Sequence, residues 1–175
     1  MFNRINIYKI IKAHYKSLKN LNGNGITFSD IVLFIAIPLF TSTYIGYENI
    51  SIKSQISNLV TALSILAGFL FNLLAIIHNS LGKIKEENRT QISQDNSLKL
   101  KFANEIHANI SYNILIAIIN VVLLVLYGLN IEFPNKEVNN FFLISLNSIC
   151  VFFMIHFLFT LLMILNRIYI LLDKE

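Results

Sequence analysis

The sequence is short of charge and of cysteine, and each shortage removes a class of protein. Only 14% of the 175 residues are Asp, Glu, Lys or Arg, where a soluble domain carries roughly 25%. The single cysteine, Cys150, has no partner for an intramolecular bridge, which excludes a disulfide-stapled secreted scaffold. Disorder is excluded in turn, because 55% of the residues are hydrophobic and 12% aromatic. Catalytic signatures are also missing: there is no phosphate-binding Gly-rich loop, no Ser nucleophile elbow and no HExxH helix. The four histidines, His14, His78, His107 and His156, lack zinc-ligand spacing with Cys or carboxylate partners, although His78 and His107 should both sit near one membrane surface. No catalytic, cofactor or metal site is therefore expected.

What is present is a set of long apolar runs. Crossing a hydrocarbon core of about 30 Å takes about 20 helical residues. Four stretches come close to or exceed that length: Asp30 to Tyr47, Ile56 to His78, Ile110 to Asn130, and Phe141 to Leu165. No Lys, Arg, Asp or Glu falls in their interiors. Unpaired strand edges are not tolerated in lipid, so each stretch should be a helix. The expected fold class is all-α: a polytopic membrane protein with four transmembrane helices, forming one domain over residues 1–175.

The few charges then set the orientation. Of the 14 Lys and Arg residues, only Lys53 and Lys136 fall in the loops after the first and third spans. The others cluster before the first span, between the second and third, and after the fourth. By the positive-inside rule those three regions face the cytoplasm. The net charge of +4 thus concerns topology, and no direct nucleic-acid binding is expected. The first 29 residues lack an apolar core followed by a small-residue cleavage site, so a cleavable signal is not expected either.

Residues 1–21 read as an amphipathic helix. Ile7, Ile10, Ile11, Tyr15, Leu18 and Leu21 share one broad face, while Lys9, Lys12, Lys16 and Lys19 cluster on another. Such a helix either lies on anionic lipid at the membrane surface or packs its apolar face on the protein's own middle loop. Asn22-Gly23-Asn24-Gly25 is a turn, and Thr27 to Asp30 fits a capping box for the first span. Pro38 frees the carbonyl of Phe34 within that span and should kink it. Thr41, Ser42 and Thr43 are candidates to re-satisfy that backbone. The kink serves either as a hinge or, more commonly, as a packing accommodation.

The middle segment, residues 79–108, should form a cytoplasmic helical hairpin. Leu81 and Ile84 continue the pattern of the second span, Leu98, Phe102 and Ile106 lead into the third, and Ser97 is a plausible N-cap. Its basic residues Lys83, Lys85, Arg89, Lys99 and Lys101, mixed with acidic ones, suit a surface that binds a cytoplasmic protein partner. Arg167, past the fourth span, is expected to snorkel to the interface.

Uncharged polar residues recur at helical spacing inside three spans. Asn58, Thr61, Ser64, Gly68 and Asn72 share one face of the second, and Ser64 and Gly68 have small-xxx-small spacing. Asn113, Asn120 and Tyr127 recur every seven residues in the third. Ser145, Ser148, Phe152, His156, Thr160 and Met163 form a seam in the fourth. Two readings are open: hydrogen-bonded packing within one bundle, or the lining of a hydrated path in an oligomer. Coupled transport is disfavoured, since only His156 could titrate at depth.

The run from Leu63 to Leu74 (LSILAGFLFNLL) and the ending from Leu165 to Leu172 (LNRIYILL) resemble small four-span bacterial proteins of antiphage-defence loci. These include the accessory membrane proteins beside type VI-B CRISPR effectors and the membrane subunit of the Kiwa system. The resemblance implies a non-enzymatic inner-membrane effector that forms homo-oligomers. It would perturb the membrane when a cytoplasmic partner encoded nearby senses infection. A structural membrane anchor for a soluble partner, or a holin-like protein, are the alternatives.

Overall fold

The computed structural model describes residues 6–18, 27–90, 94–129, 131 and 133–172, with side chains for all of these except 87–90, 94–96 and 172. Lys19, the Asn22–Gly25 turn and the side chain of Arg89 lie outside the described residues. Five helices follow in order: α1 (Ile7–Ser17), α2 (Phe28–Tyr47), α3 (Ile56–Thr90), α4 (Gln94–Gly128) and α5 (Lys136–Leu172). A short 3-10 turn, Lys53–Gln55, leads into α3. The last four helices are long and apolar enough to cross a membrane.

The long helices overrun the apolar stretches that announced them. α3 continues to Thr90 and α4 starts at Gln94, so the expected hairpin is built from their extensions. Ser97 is consequently one turn inside α4 and is not its N-cap. The first-turn N–H groups of a helix lack intrahelical partners, so a serine is tolerated there. α5 likewise starts at Lys136, five residues ahead of the apolar run, with Asn135 Oδ1 accepting from Glu137 N–H at 2.9 Å.

α2 begins immediately after Thr27 and carries Asp30 in its first turn, where a carboxylate suits the positive end of the helix dipole. Its Val32–Ala36 stretch is a π-helical turn, with Ile37 N–H bonded to Val32 O. A π turn just ahead of Pro38 absorbs the donor that proline lacks. Thr41, Ser42 and Thr43 do not serve the Phe34 carbonyl as expected. Their hydroxyls donate to Ile37, Leu39 and Phe40 carbonyls one turn back, all within reach of their own helix.

The chain divides into two compact units. One comprises Met1–Thr27, Gly68–Ile114 and Thr160–Glu175. It buries Leu70, Ile77, Ala103, Ile106, Ile110 and Ile164, together with His14 and Ser17 of α1. The other comprises Phe28–Ala67 and Leu115–Phe159. Its core includes Phe34, Leu63, Ala117, Leu124, Cys150 and Phe157. In this unit Gly46 of α2 lies directly against Ser148 of α5: a Cβ at Gly46 would collide with the Ser148 hydroxyl. Small residues are what let two helices approach this closely in a membrane.

Candidate functional site: the polar faces of the helices

The three seams separate into two kinds. On α3, Leu63, Leu70 and Ile77 are buried at a spacing of seven. At 100° per residue, Asn58, Thr61, Ser64, Gly68 and Asn72 lie on the opposite side, and all five are exposed. Thr61 and Ser64 return their hydroxyls to the backbone of Ser57 and Val60, and Asn58 donates to Gln55. A Cβ at Gly68 would meet nothing within 4 Å. The close approach suggested by Ser64 and Gly68 is thus not made within the chain. Only 17% of the most apolar stretch of α3 is buried, against 50% for α4.

The seams of α4 and α5 face inward. Asn113, Asn120 and Thr160 are each 0% exposed and His156 is 4% exposed. These four are therefore buried, whereas the α3 residues are exposed. The four are enclosed by the chain itself, and of the three seams only that of α3 is exposed along its length.

Within the second unit, His156 solves the problem that Pro38 creates. Its Nδ1–H donates to Phe34 O at 2.8 Å, which fixes the tautomer, since a carbonyl can only accept. The ring lies parallel to Phe152 at 6.0 Å and edge-on to Phe34 at 6.3 Å. Asn120 is a different case, because neither of its side-chain amide atoms has a partner. Elsewhere in this unit, Asn147 ties down the loop after α2. Its Nδ2 donates to Ile50 O at 2.9 Å and its Oδ1 accepts from Ile52 N–H at 3.1 Å. Ser51 and Tyr127 share a 2.9 Å hydroxyl bond, and Asn49 takes the left-handed conformation (φ 55°) that asparagine tolerates. A cavity of about 200 Å³ among these residues is smaller than the usual small-molecule pocket of roughly 300–1,000 Å³.

Within the first unit, α1 is held by polar groups. His14 Nδ1–H donates to Asn109 Oδ1 at 2.9 Å, and the Ser17 hydroxyl lies 2.7 Å from both Asn109 Oδ1 and the His14 carbonyl. The His14 ring stacks on Tyr112, with centroids 3.8 Å apart and planes 6° from parallel. Arg167 turns inward rather than snorkelling. It donates to Ser17 O at 2.9 Å and pairs with Glu105 at 3.2 Å. Ser17 O is one of the unpaired carbonyls at the negative end of α1, which makes it a natural acceptor for a cation. α1 thus packs through His14 and Ser17 onto α4 and α5, and Leu18 is buried as well. Of the apolar face read from the wheel, Leu18 is buried, Ile10 and Ile11 are half-buried, and Ile7 and Tyr15 are exposed. Lys9, Lys12 and Lys16 point outward.

On the α3–α4 hairpin, Lys83, Lys85 and Lys101 are exposed and Lys99 is half-buried. His78 and His107 do come together, with ring centroids 6.2 Å apart. Among the described residues, no group of three or more His, Cys, Asp or Glu side chains could hold a metal ion. The sequence reading missed Gly46, Ser148 as its contact, and Asn109; the last was visible as a further Asn one turn ahead of Asn113.

The architecture defines a class: four helices of membrane-spanning length and apolarity joined by short or helical connections. No protein-family model, curated protein or solved structure matches the chain.

Proposed function

We propose that this protein is a multi-pass protein of a bacterial inner membrane, with α1, the α3–α4 hairpin and the end of α5 on the cytoplasmic side. In this reading it is a non-enzymatic effector of antiphage defence. Copies associate in the membrane and permeabilise it when a cytoplasmic partner, encoded nearby, engages Lys83, Lys85, Lys101 and neighbouring groups on the hairpin. Anionic lipid headgroups are the natural neighbours of Lys9, Lys12 and Lys16.

The observation that carries the reading is the outward polar stripe of α3. Hydroxyls and amides gain little from facing lipid, and small polar residues on a membrane helix favour close contact with another helix. The chain fills its own interior with the α4 and α5 seams, which leaves Asn58, Thr61, Ser64 and Asn72 for another copy or for a hydrated path between copies. A partner that binds the open arrangement more tightly than the closed one supplies the switch.

The test joins a biophysical and a cellular measurement. Gly68→Leu and Asn72→Leu should leave the helical content of the chain unchanged, abolish association in micelles, and remove membrane depolarisation in phage-challenged cells that co-express the flanking genes. An unchanged membrane potential and unchanged phage survival in the wild type would sink the effector reading. The second reading, a membrane anchor for a soluble partner, is favoured by the static tethering of α1 through Arg167, and it requires association without any conductance.

A further inference from the structure

We propose that the Asn109–Asn113 turn of α4 is a binding site for internal water. Both side chains are 0% exposed. Asn109 Nδ2, Asn113 Nδ2 and Asn113 Oδ1 have no protein partner. Buried amide groups in that condition are rare, because each has given up its bonds to bulk water without replacement.

The helix shows how such groups are ordinarily satisfied, and these two are not satisfied that way. Asn104 Nδ2 donates to Leu100 O at 2.8 Å, and the Ser111 hydroxyl donates to His107 O at 2.9 Å, each one turn back. Asn113 makes no such bond. Apart from Asn109, its neighbours one turn away on α4 are apolar: Ile110, Ile116 and Ala117 are all buried. The Asn109 amide is held in place by His14 and Ser17, so it cannot rotate away to find another partner. Exchanging the two ends of that amide would leave its oxygen unmatched in place of its nitrogen, and the need for a partner would persist.

Residues four apart on a helix have Cβ atoms about 5–6 Å apart on one face. A single oxygen between the two amides can accept from Asn109 Nδ2 and donate to Asn113 Oδ1. Internal waters typically make about three hydrogen bonds, and the two amides supply at least two. Only a ligand that donates and accepts at once meets both requirements, and water is the smallest. The site adjoins the His14–Asn109–Ser17 contacts, so its water would be part of what holds α1 in place. None of this depends on what the protein does to the membrane.

The test uses the full chain, labelled with 15N-asparagine, in deuterated micelles, and reads water-to-side-chain NH2 cross-relaxation. Tyr112-Asn113 is the one Tyr-Asn pair in the sequence, which allows Asn113 to be assigned in the wild type by pairwise labelling. The expected result is a long-lived water cross-peak at the Asn113 NH2 group, joined by a fall in melting temperature for Asn113→Leu, because Asn109 then loses its bridging partner. Absence of the water cross-peak overturns the proposal. So does a melting temperature that rises in Asn113→Leu, the outcome for an amide that is simply buried dry. The wild-type measurement stands even where the variant does not fold.

Discussion

Replacing His156 by Leu should destabilise the second unit by an amount that Pro38 determines. The Phe34 carbonyl has no α-helical donor four residues on, because residue 38 is proline, and His156 supplies the bond at 2.8 Å. Leu occupies comparable volume, so the cavity contribution is small and the orphaned acceptor dominates. Leaving a buried acceptor unsatisfied costs about 1–3 kcal/mol. With about 2–4 °C lost per kcal/mol in a chain of this size, His156→Leu should melt several degrees lower. The coupling is the sharper test. Pro38→Ala restores an N–H that can reach Phe34 O, which matters only when His156 is gone. The double variant should therefore be more stable than the sum of the two single effects by about 1 kcal/mol. Denaturation by SDS from mild micelles, followed by far-UV circular dichroism, measures all four corners of the cycle. Additive effects, or a stabilised His156→Leu, would refute the assignment of His156 as the donor that compensates Pro38.

Three further outcomes follow from other contacts. Gly46→Leu should lower the melting temperature, because its side chain would enter the space held by Ser148, whereas Gly46→Ala should be milder since the Ser148 hydroxyl can rotate aside. Arg167→Gln should loosen α1 by removing the Glu105 pair and weakening the bond to Ser17 O. A loss of about 1–2 kcal/mol would speed tryptic cleavage at Lys9, Lys12 and Lys16 by about 5–30-fold, and unchanged cleavage would mean that His14 and Ser17 suffice. Reversing Lys83, Lys85 and Lys101 to Glu should alter stability by no more than about 0.5 kcal/mol for each residue, as for exposed residues generally. The same change should abolish phage protection, which the wild type must show in parallel.

The spans were legible because lipid leaves the backbone one local solution, so an apolar run of sufficient length is a helix. Their overruns were not. Hydropathy marks where a helix can meet lipid, and α3 and α4 continue as helix through the polar residues of the hairpin. The Phe34 carbonyl illustrates a different limit. That a donor was needed could be read from one residue, but the donor lies 122 positions away from Phe34, and nothing local distinguishes His156 from the other polar residues of its seam.

The seams show the same limit at the scale of whole helices. Helical spacing groups Asn58, Thr61, Ser64 and Asn72 on one face as securely as it groups Asn113 and Asn120. It cannot say whether a face meets a neighbour in the same chain. Both helices carry competing seven-residue lines, Leu63-Leu70-Ile77 on α3 and Asn113-Asn120-Tyr127 on α4, and in each case that line is the one buried. α3 therefore turns its apolar line inward and its polar line outward, the reverse of the economical arrangement for a helix that ends its contacts at lipid. α4 shows that this chain can bury asparagine when its packing requires it. Of the three seams, the one on α3 is thus the one turned outward, and that makes α3 the surface on which association between copies should first be sought.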